Sequence, residues 1–138
     1  MASTETRSVV VEREFPHPPE KLWRALTQPH LISEWLLKND FVPTIGHKFK
    51  LEVQNEKFSG IIDCEVLVIE PNKTLSYSWN SMGLETAVTF TLTPTKNGVH
   101  LRMEQSGFRP DQPKNFAGAK YGWNNFFARL ETTLARID

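Results

Sequence analysis

The histidines and the single cysteine are the side chains best suited to metal binding or nucleophilic chemistry, and their spacing favours neither. The histidines stand far apart in the sequence: His17, His30, His47 and His100. No two of them have the short spacing that presents a pair of ligands to one zinc ion. Cys64 falls on the inward side of a predicted strand, where a thiol is buried and unreactive. The sequence therefore predicts no metal, no cofactor and no catalytic residue.

Three polar side chains fall on predicted inward-facing strand positions and are stronger candidates for a site: Arg13, Tyr77 and Gln105. Burying such a group without a partner costs about 1–3 kcal/mol, so each needs a partner inside the protein or serves a ligand. As internal groups they would form a network or lie at a strand end open to water. As ligand-binding groups, Arg13 and Tyr77 would donate to a carbonyl, carboxylate or phenol. The sequence leaves both interpretations open.

Large apolar side chains on the same faces would hold the body of such a ligand. With Arg13, Tyr77 and Gln105, the predicted ligand-binding residues are Trp35, Phe49, Leu51, Trp79, Val88, Phe90, Met103, Trp123, Phe127 and Leu130. Aromatic side chains bury large areas and stack equally well on planar ligands. The same residues would therefore suit the wall of a cavity or a filled core.

An antiparallel sheet of six strands is predicted to position these residues. The strands run over Ser8–Phe15, Lys48–Val53, Phe58–Ile69, Thr74–Trp79, Thr86–Leu92 and Val99–Gln105. Apolar and polar residues alternate along them, which is typical of a sheet with one buried and one wet face. Hairpins are expected at Asn55–Lys57 and at Asn97–Gly98. Asn97 and Gly98 both tolerate the positive φ that primed turns require.

Three helices complete the predicted α+β fold, in which strand 1 precedes two short helices and a long helix ends the chain. The short helices are Glu20–Leu26 and His30–Leu37, and the long one is Asn115–Ile137, about 34 Å at 1.5 Å per residue. Apolar residues cover an arc of about 100° on the long helix. Gly118 and Gly122 are expected on its outer side. We expect this helix to pack across a curved sheet and to enclose an apolar cavity.

Length, charge and hydropathy limit the remaining possibilities. The 138 residues fit one domain, 1–138, with residues 1–7 expected to be disordered. Sixteen basic residues balance sixteen acidic ones, so no net positive charge attracts nucleic acid. The sequence shows neither a signal peptide nor an apolar stretch long enough to span a bilayer. We therefore expect a cytoplasmic domain with no nucleic-acid partner and no membrane insertion.

Three stretches together resemble a known family: FPHPPEKLWRALTQPHLISEWL, VTFTLTPTKNGVHLRMEQSGF and GWNNFFARLETTL. They contain a proline-led helix ending in tryptophan, paired final strands running into Ser-Gly-Phe, and a Gly-Trp helix. In this combination the chain resembles the activator of heat-shock-protein-90 ATPase homologue family, also called AHSA1-like. That family lies within the START-like, birch-pollen-allergen-like (SRPBCC) superfamily. The resemblance implies a helix-grip fold.

The resemblance implies more than one function, because relatives include lipid and polyketide binders, cyclases and co-chaperone domains. The first hypothesis is binding of a small hydrophobic molecule, lipid-like, polyketide or aromatic, between the sheet and the last helix. The second is a cyclase- or aromatase-like enzyme in which Arg13, Tyr77 or Gln105 polarises a carbonyl. The third is a co-chaperone-type domain with a chaperone partner. It is the least favoured, because co-chaperones carry a further N-terminal domain and strand 1 here begins at Ser8.

Overall fold

Strands and helices follow one another in the order expected for a helix-grip fold. The computed structural model describes residues 6–54, 59–81 and 83–137, and the structural statements below concern these residues. The elements are β1 (Arg7–Phe15), α1 (Pro19–Thr27), α2 (Pro29–Trp35), β2 (Lys38–Asn39), β3 (Lys48–Gln54), β4 (Ser59–Glu70), β5 (Thr74–Ser81), β6 (Leu84–Thr95), β7 (Gly98–Phe108) and α3 (Pro113–Arg136). The three predicted helices are confirmed.

All the strands belong to one antiparallel sheet with the order β1-β7-β6-β5-β4-β3-β2. Strands β3 to β7 pair with their neighbours along the chain, and β7, the last strand, also pairs with β1, the first. The register sets inward apolar residues side by side, as with Met103 between Val11 on β1 and Phe90 on β6. This alternation gives the sheet one apolar face, which the helices cover.

The sheet has seven strands rather than the predicted six. The additional strand, β2, is a two-residue segment that pairs with the middle of β3 at the sheet edge. Two residues cannot show a period, so no alternation marked it. Strand β1 also begins earlier than predicted, because Arg7 already pairs with Phe108. Residues 1–5 and the predicted turn at Asn55–Lys57 lie outside the described residues.

Helix α3 packs against β1, α1 and α2. Its second half carries the buried side chains Phe127, Leu130 and Leu134. Ion pairs also hold this half: Glu131 with Arg13 of β1, and Arg136 with Glu34 of α2. The second half of α3 is therefore the firmly anchored part of this helix.

The described helices include none that is both long and apolar enough to cross a bilayer.

The hairpin between β6 and β7 is confirmed, but its glycine is needed for a different reason from the one predicted. Neither Asn97 nor Gly98 has a positive φ. A Cβ added to Gly98 would lie 2.0 Å from the carbonyl oxygen of Phe15. Gly98 is required because the end of β1 passes too close to β7 to leave room for a side chain.

Replacing this glycine should destabilise the fold. We expect Gly98→Ala to lower the free energy of unfolding by about 1–3 kcal/mol, the usual cost of overpacking, because the backbone at Phe15 must move. Gly118→Ala is the matched control, since a Cβ there would have no atom within 4 Å. Alanine in a helix interior should add up to about 1 kcal/mol. The midpoint of urea denaturation should therefore fall in Gly98→Ala and rise in Gly118→Ala. Shifts of equal sign in the two variants would contradict the close-approach explanation.

Candidate functional site

A cleft of about 500 Å³ opens between the first half of α3 and one end of the sheet. From the sheet it is lined by Val53, Gly60, Ile62, Trp79, Ser81, Leu84 and Gln105. From the helix it is lined by Asn115, Gly118, Ala119, Gly122, Trp123 and Phe126. The volume falls within the range of about 300–1,000 Å³ that is usual for small-molecule sites. Most of the described lining is apolar or small.

Two glycines of α3 keep this cleft open. Gly118 and Gly122 lie one turn apart, and both line the cleft. A Cβ at either position would have no atom within 4 Å. Gly118 is exposed, as expected for the outer side of the helix, whereas Gly122 is half-buried and does not lie fully on that side.

Two tryptophans form the inner wall of the cleft. The ring centroids of Trp79 and Trp123 are 5.4 Å apart, and their planes are inclined at 52°. Phe126 meets Trp123 edge-on, with centroids 5.4 Å apart. Phe90 supports Trp123 from the core at 5.8 Å. The wall is therefore an aromatic surface supported by closely packed rings, which suits a planar ligand.

A chain of three hydrogen bonds joins this wall to three neighbouring strands. Trp123 Nε1 donates to Gln105 Oε1 at 2.8 Å, and Gln105 Nε2 donates to Thr86 Oγ1 at 2.9 Å. Thr86 Oγ1 in turn donates to the carbonyl oxygen of Trp79 at 2.8 Å. Gln105 is 1% exposed and Thr86 is 6% exposed. The internal-network interpretation of Gln105 is thus the one the structure supports.

Breaking this chain at Thr86 should destabilise the protein. We expect Thr86→Val to lower the free energy of unfolding by about 1–3 kcal/mol, because the amide of Gln105 loses an acceptor in a buried site. Thr93→Val is the matched control on the exposed face of the same strand. Its effect should stay within about 0.5 kcal/mol. Equal losses in the two variants, measured by chemical denaturation, would show that the hydrogen-bond chain does not contribute.

Comparison with known proteins agrees with this architecture. The family model for Activator of Hsp90 ATPase homolog 1-like protein matches residues 16–135. The chain belongs to this family. The helix-grip fold of the START-like (SRPBCC) superfamily, expected from the sequence, is likewise confirmed by the family match and by solved structures.

Several solved structures are similar to this member of the Activator of Hsp90 ATPase homolog 1-like family. Protein MLL2253 from Mesorhizobium loti is 61% identical, with a TM-score of 0.90 over 96% of this chain and 99% of its own. DynU16, a putative protein in the dynemicin biosynthetic locus, is 27% identical with a TM-score of 0.81 over 94% of this chain. This chain spans 47% of DynU16. CalU16 from Micromonospora echinospora is 21% identical, with a TM-score of 0.80 over 96% of this chain and 78% of its own, and supports the fold alone. No curated protein matches the chain.

Of the ligand-binding residues predicted for this family member, Trp79, Gln105 and Trp123 line the cleft. The other apolar candidates and Tyr77 lie in the packed core: Trp35, Phe49, Leu51, Tyr77, Val88, Phe90, Met103, Phe127 and Leu130. Tyr77 illustrates why. Its ring contacts those of Phe49 and Phe90, with centroids 5.1 Å and 6.0 Å away. Burial of the phenol raises the pKa of Tyr77 well above its usual value.

Arg13 lies away from the cleft as well. Arg13 lies on the predicted inward side of β1, but its guanidinium pairs with Glu131 in the second half of α3 at 3.0 Å. The side chain remains 32% exposed, as expected for a strand-end position open to water. Among the three inward polar candidates, Gln105 is therefore the one that lines the cleft.

The prediction missed the small and flanking residues of the lining. These are Val53, Gly60, Ile62, Ser81, Leu84, Asn115, Gly118, Ala119, Gly122 and Phe126. One signal was available in the sequence, because Gly118 and Gly122 are four residues apart in an otherwise amphipathic helix. Glycine is unfavourable there unless the missing side chain leaves space that is needed.

A second depression of about 440 Å³ lies on the opposite face of the sheet. Its lining includes Lys48, Lys50, Asp63 and Glu65. The register sets Lys48 opposite Glu65 and Lys50 opposite Asp63, so charges of opposite sign face each other across β3 and β4. Such pairing of opposite charges across neighbouring strands is typical of a solvated face. We therefore assign the site to the cleft.

The remaining reactive side chains of the described structure are the Cys64 thiol and the histidines. Desolvation, with smaller contributions from the nearby carboxylates of Asp63 and Asp40, raises the pKa of the Cys64 thiol to about 12. Within the described ranges, no cluster of three or more His, Cys, Asp or Glu side chains could hold a metal ion. His17 and His100 instead contact charged neighbours, Lys21 and Glu12.

Cys64 should resist thiol reagents in the folded protein. Only the thiolate reacts, and a pKa of about 12 leaves almost none of it at pH 8. We expect an aromatic disulfide reagent to label Cys64 at pH 8 at least a hundredfold more slowly in buffer than in concentrated urea. The chain has a single cysteine, so the signal reports on Cys64 alone. Equal labelling rates in the two conditions would contradict its burial.

Proposed function

We propose that the protein binds a small, flat, hydrophobic molecule in the cleft between α3 and the sheet. The observation that carries this proposal is the open, glycine-lined space beside Trp79 and Trp123. Apolar surface that a ligand buries against such a wall contributes about 25 cal/mol per Å². A cleft with an aromatic wall and room for several rings is therefore suited to binding.

The shape of the cleft favours a planar ligand. Trp79 from the sheet and Trp123 from α3 give the cleft aromatic rings, and Gly118 and Gly122 of the same helix add no side chain beside them. A flat ring system stacks on aromatic side chains over a larger area than a bulky molecule does. The assignment of DynU16, 27% identical, to a biosynthetic locus supports a small organic molecule as the partner.

The chemistry of the lining favours binding over acid–base catalysis. The described lining residues include no Asp, Glu, His, Lys, Arg or Tyr. General acid–base catalysis needs a titratable group within hydrogen-bond reach of the substrate, and a glutamine amide does not supply one. The lining also favours a small molecule over a chaperone as the partner. A cytoplasmic location and a single-domain organisation stay predictions from the sequence.

Filling the cleft should weaken binding. A mixed library of lipids, flavonoids and the hydrocarbon fluorene, screened by NMR, should shift the indole N–H signals of Trp79 and Trp123. We expect Gly122→Leu to weaken binding of any compound found at least tenfold, because the leucine side chain occupies the ligand's space. Ala117→Leu, on the exposed side of the same helix, is the matched control and should bind as the wild type does.

Occlusion can be separated from unfolding in this experiment. Leucine has a higher helix propensity than glycine, so Gly122→Leu should keep its helical circular dichroism and have a Tm no lower than that of the wild type. Equal binding by Gly122→Leu and the wild type would overturn the cleft as the site. Absence of binding by the wild type across the whole library would overturn the proposed function.

A further inference from the structure

We infer that Gln105 selects ligands that carry a neutral carbonyl oxygen at the end that enters the cleft first. This inference rests on the proposed binding in the cleft. It assigns Gln105 a second task besides holding Trp123, and it narrows the ligand to flat apolar molecules with a ketone-type oxygen at one edge.

The orientation of the Gln105 amide is fixed by its neighbours. Trp123 Nε1 can only donate, so the atom facing it must be the amide oxygen. The hydroxyl hydrogen of Thr86 is used on the carbonyl oxygen of Trp79, so Thr86 Oγ1 accepts from the amide nitrogen. Turning the amide over would break both contacts with Gln105. The amide is therefore held rigidly at the cleft wall.

The fixed amide has hydrogen-bonding capacity left for a ligand. A glutamine amide offers two N–H donors and two acceptor lone pairs. Within the described structure, Trp123 takes one lone pair and Thr86 takes one N–H. Buried N–H groups almost always find an acceptor, whereas carbonyl oxygens more often keep a lone pair unused. The second N–H of the Gln105 amide therefore needs an acceptor more than the second lone pair of its oxygen needs a donor.

The surroundings favour a neutral oxygen as that acceptor. Gln105 is 1% exposed, so its hydrogen bonds form in a medium of low dielectric constant. A carboxylate buried there would need a cation, and the described lining supplies none. The lining's other polar side chains are more open to solvent, since Ser81 is half-buried and Asn115 is exposed. A carbonyl at the inner end of an apolar ligand matches this distribution.

Two probes of matched shape test the inference. Fluorene and 9-fluorenone differ by one carbonyl oxygen, and their Kd values can be measured by quenching of tryptophan fluorescence. We expect the ratio of the fluorene Kd to the fluorenone Kd to be about threefold to tenfold larger in the wild type than in Gln105→Met. Comparing ratios cancels the different solvation of the probes. Gln28→Met, which makes the same replacement at a half-buried position outside the cleft lining, should keep the wild-type ratio.

A second measurement needs no variant. In ¹⁵N-labelled wild type, fluorenone should move the side-chain amide signal of Gln105 downfield, and fluorene should leave it nearly in place. Binding of both probes with no such shift, or with the same Kd ratio in Gln105→Met, would overturn the inference and leave the proposed function standing. Binding of neither probe nor of any library compound would overturn both. If Gln105→Met does not fold, the amide signal alone decides the question.

Discussion

The hydrogen bond from Trp123 to Gln105 is the interaction on which the site depends most. It places the middle of α3 at a fixed point over β7, and Gln105 is itself held by Thr86 on β6. Thr86 reaches the backbone of β5 at Trp79, so one continuous chain ties the helix to three strands. Because each link lies in the buried interior, losing a partner leaves a polar group unsatisfied at a cost of about 1–3 kcal/mol.

The two halves of α3 are stabilised in different ways around that fixed point. The second half packs its apolar residues on β1, α1 and α2 and adds ion pairs at Glu131 and Arg136. The first half is held near its beginning by Phe116, whose ring lies 5.7 Å from that of Phe108. Between Phe116 and Trp123 the helix spans the cleft with its two glycines. The two glycines therefore lie between two fixed contacts on one helix.

Periodicity made most of the fold predictable from the sequence. Alternation located the long strands, and an apolar arc located α3, because burying one face of an element requires a repeating pattern. The exceptions have no pattern to read. Strand β2 is two residues long, and Gly98 is required by a close approach between β1 and β7 that no local rule describes.

The site was less predictable than the fold. Inward parity and residue type identified Trp79, Gln105 and Trp123, because large side chains at inward-facing positions can be recognised in the sequence. The same reasoning selected Tyr77 and Phe90, whose rings pack against each other in the core and do not line the cleft. A cleft is defined by where side chains are missing, and its position depends on the distance between the helix and the sheet at each point. That distance is a property of the assembled fold rather than of any one segment.

The open space at Gly118 and Gly122 has a consequence for the lifetime of the chain. A ligand that fills the cleft would supply contacts that these residues lack, and it would bind the folded protein but not the unfolded one. By mass action, a free ligand concentration one hundred times the Kd adds about 2.7 kcal/mol to the stability. Proteases act on transiently opened forms, so their access falls as that stability rises. The abundance of the protein would then follow the supply of the molecule it holds.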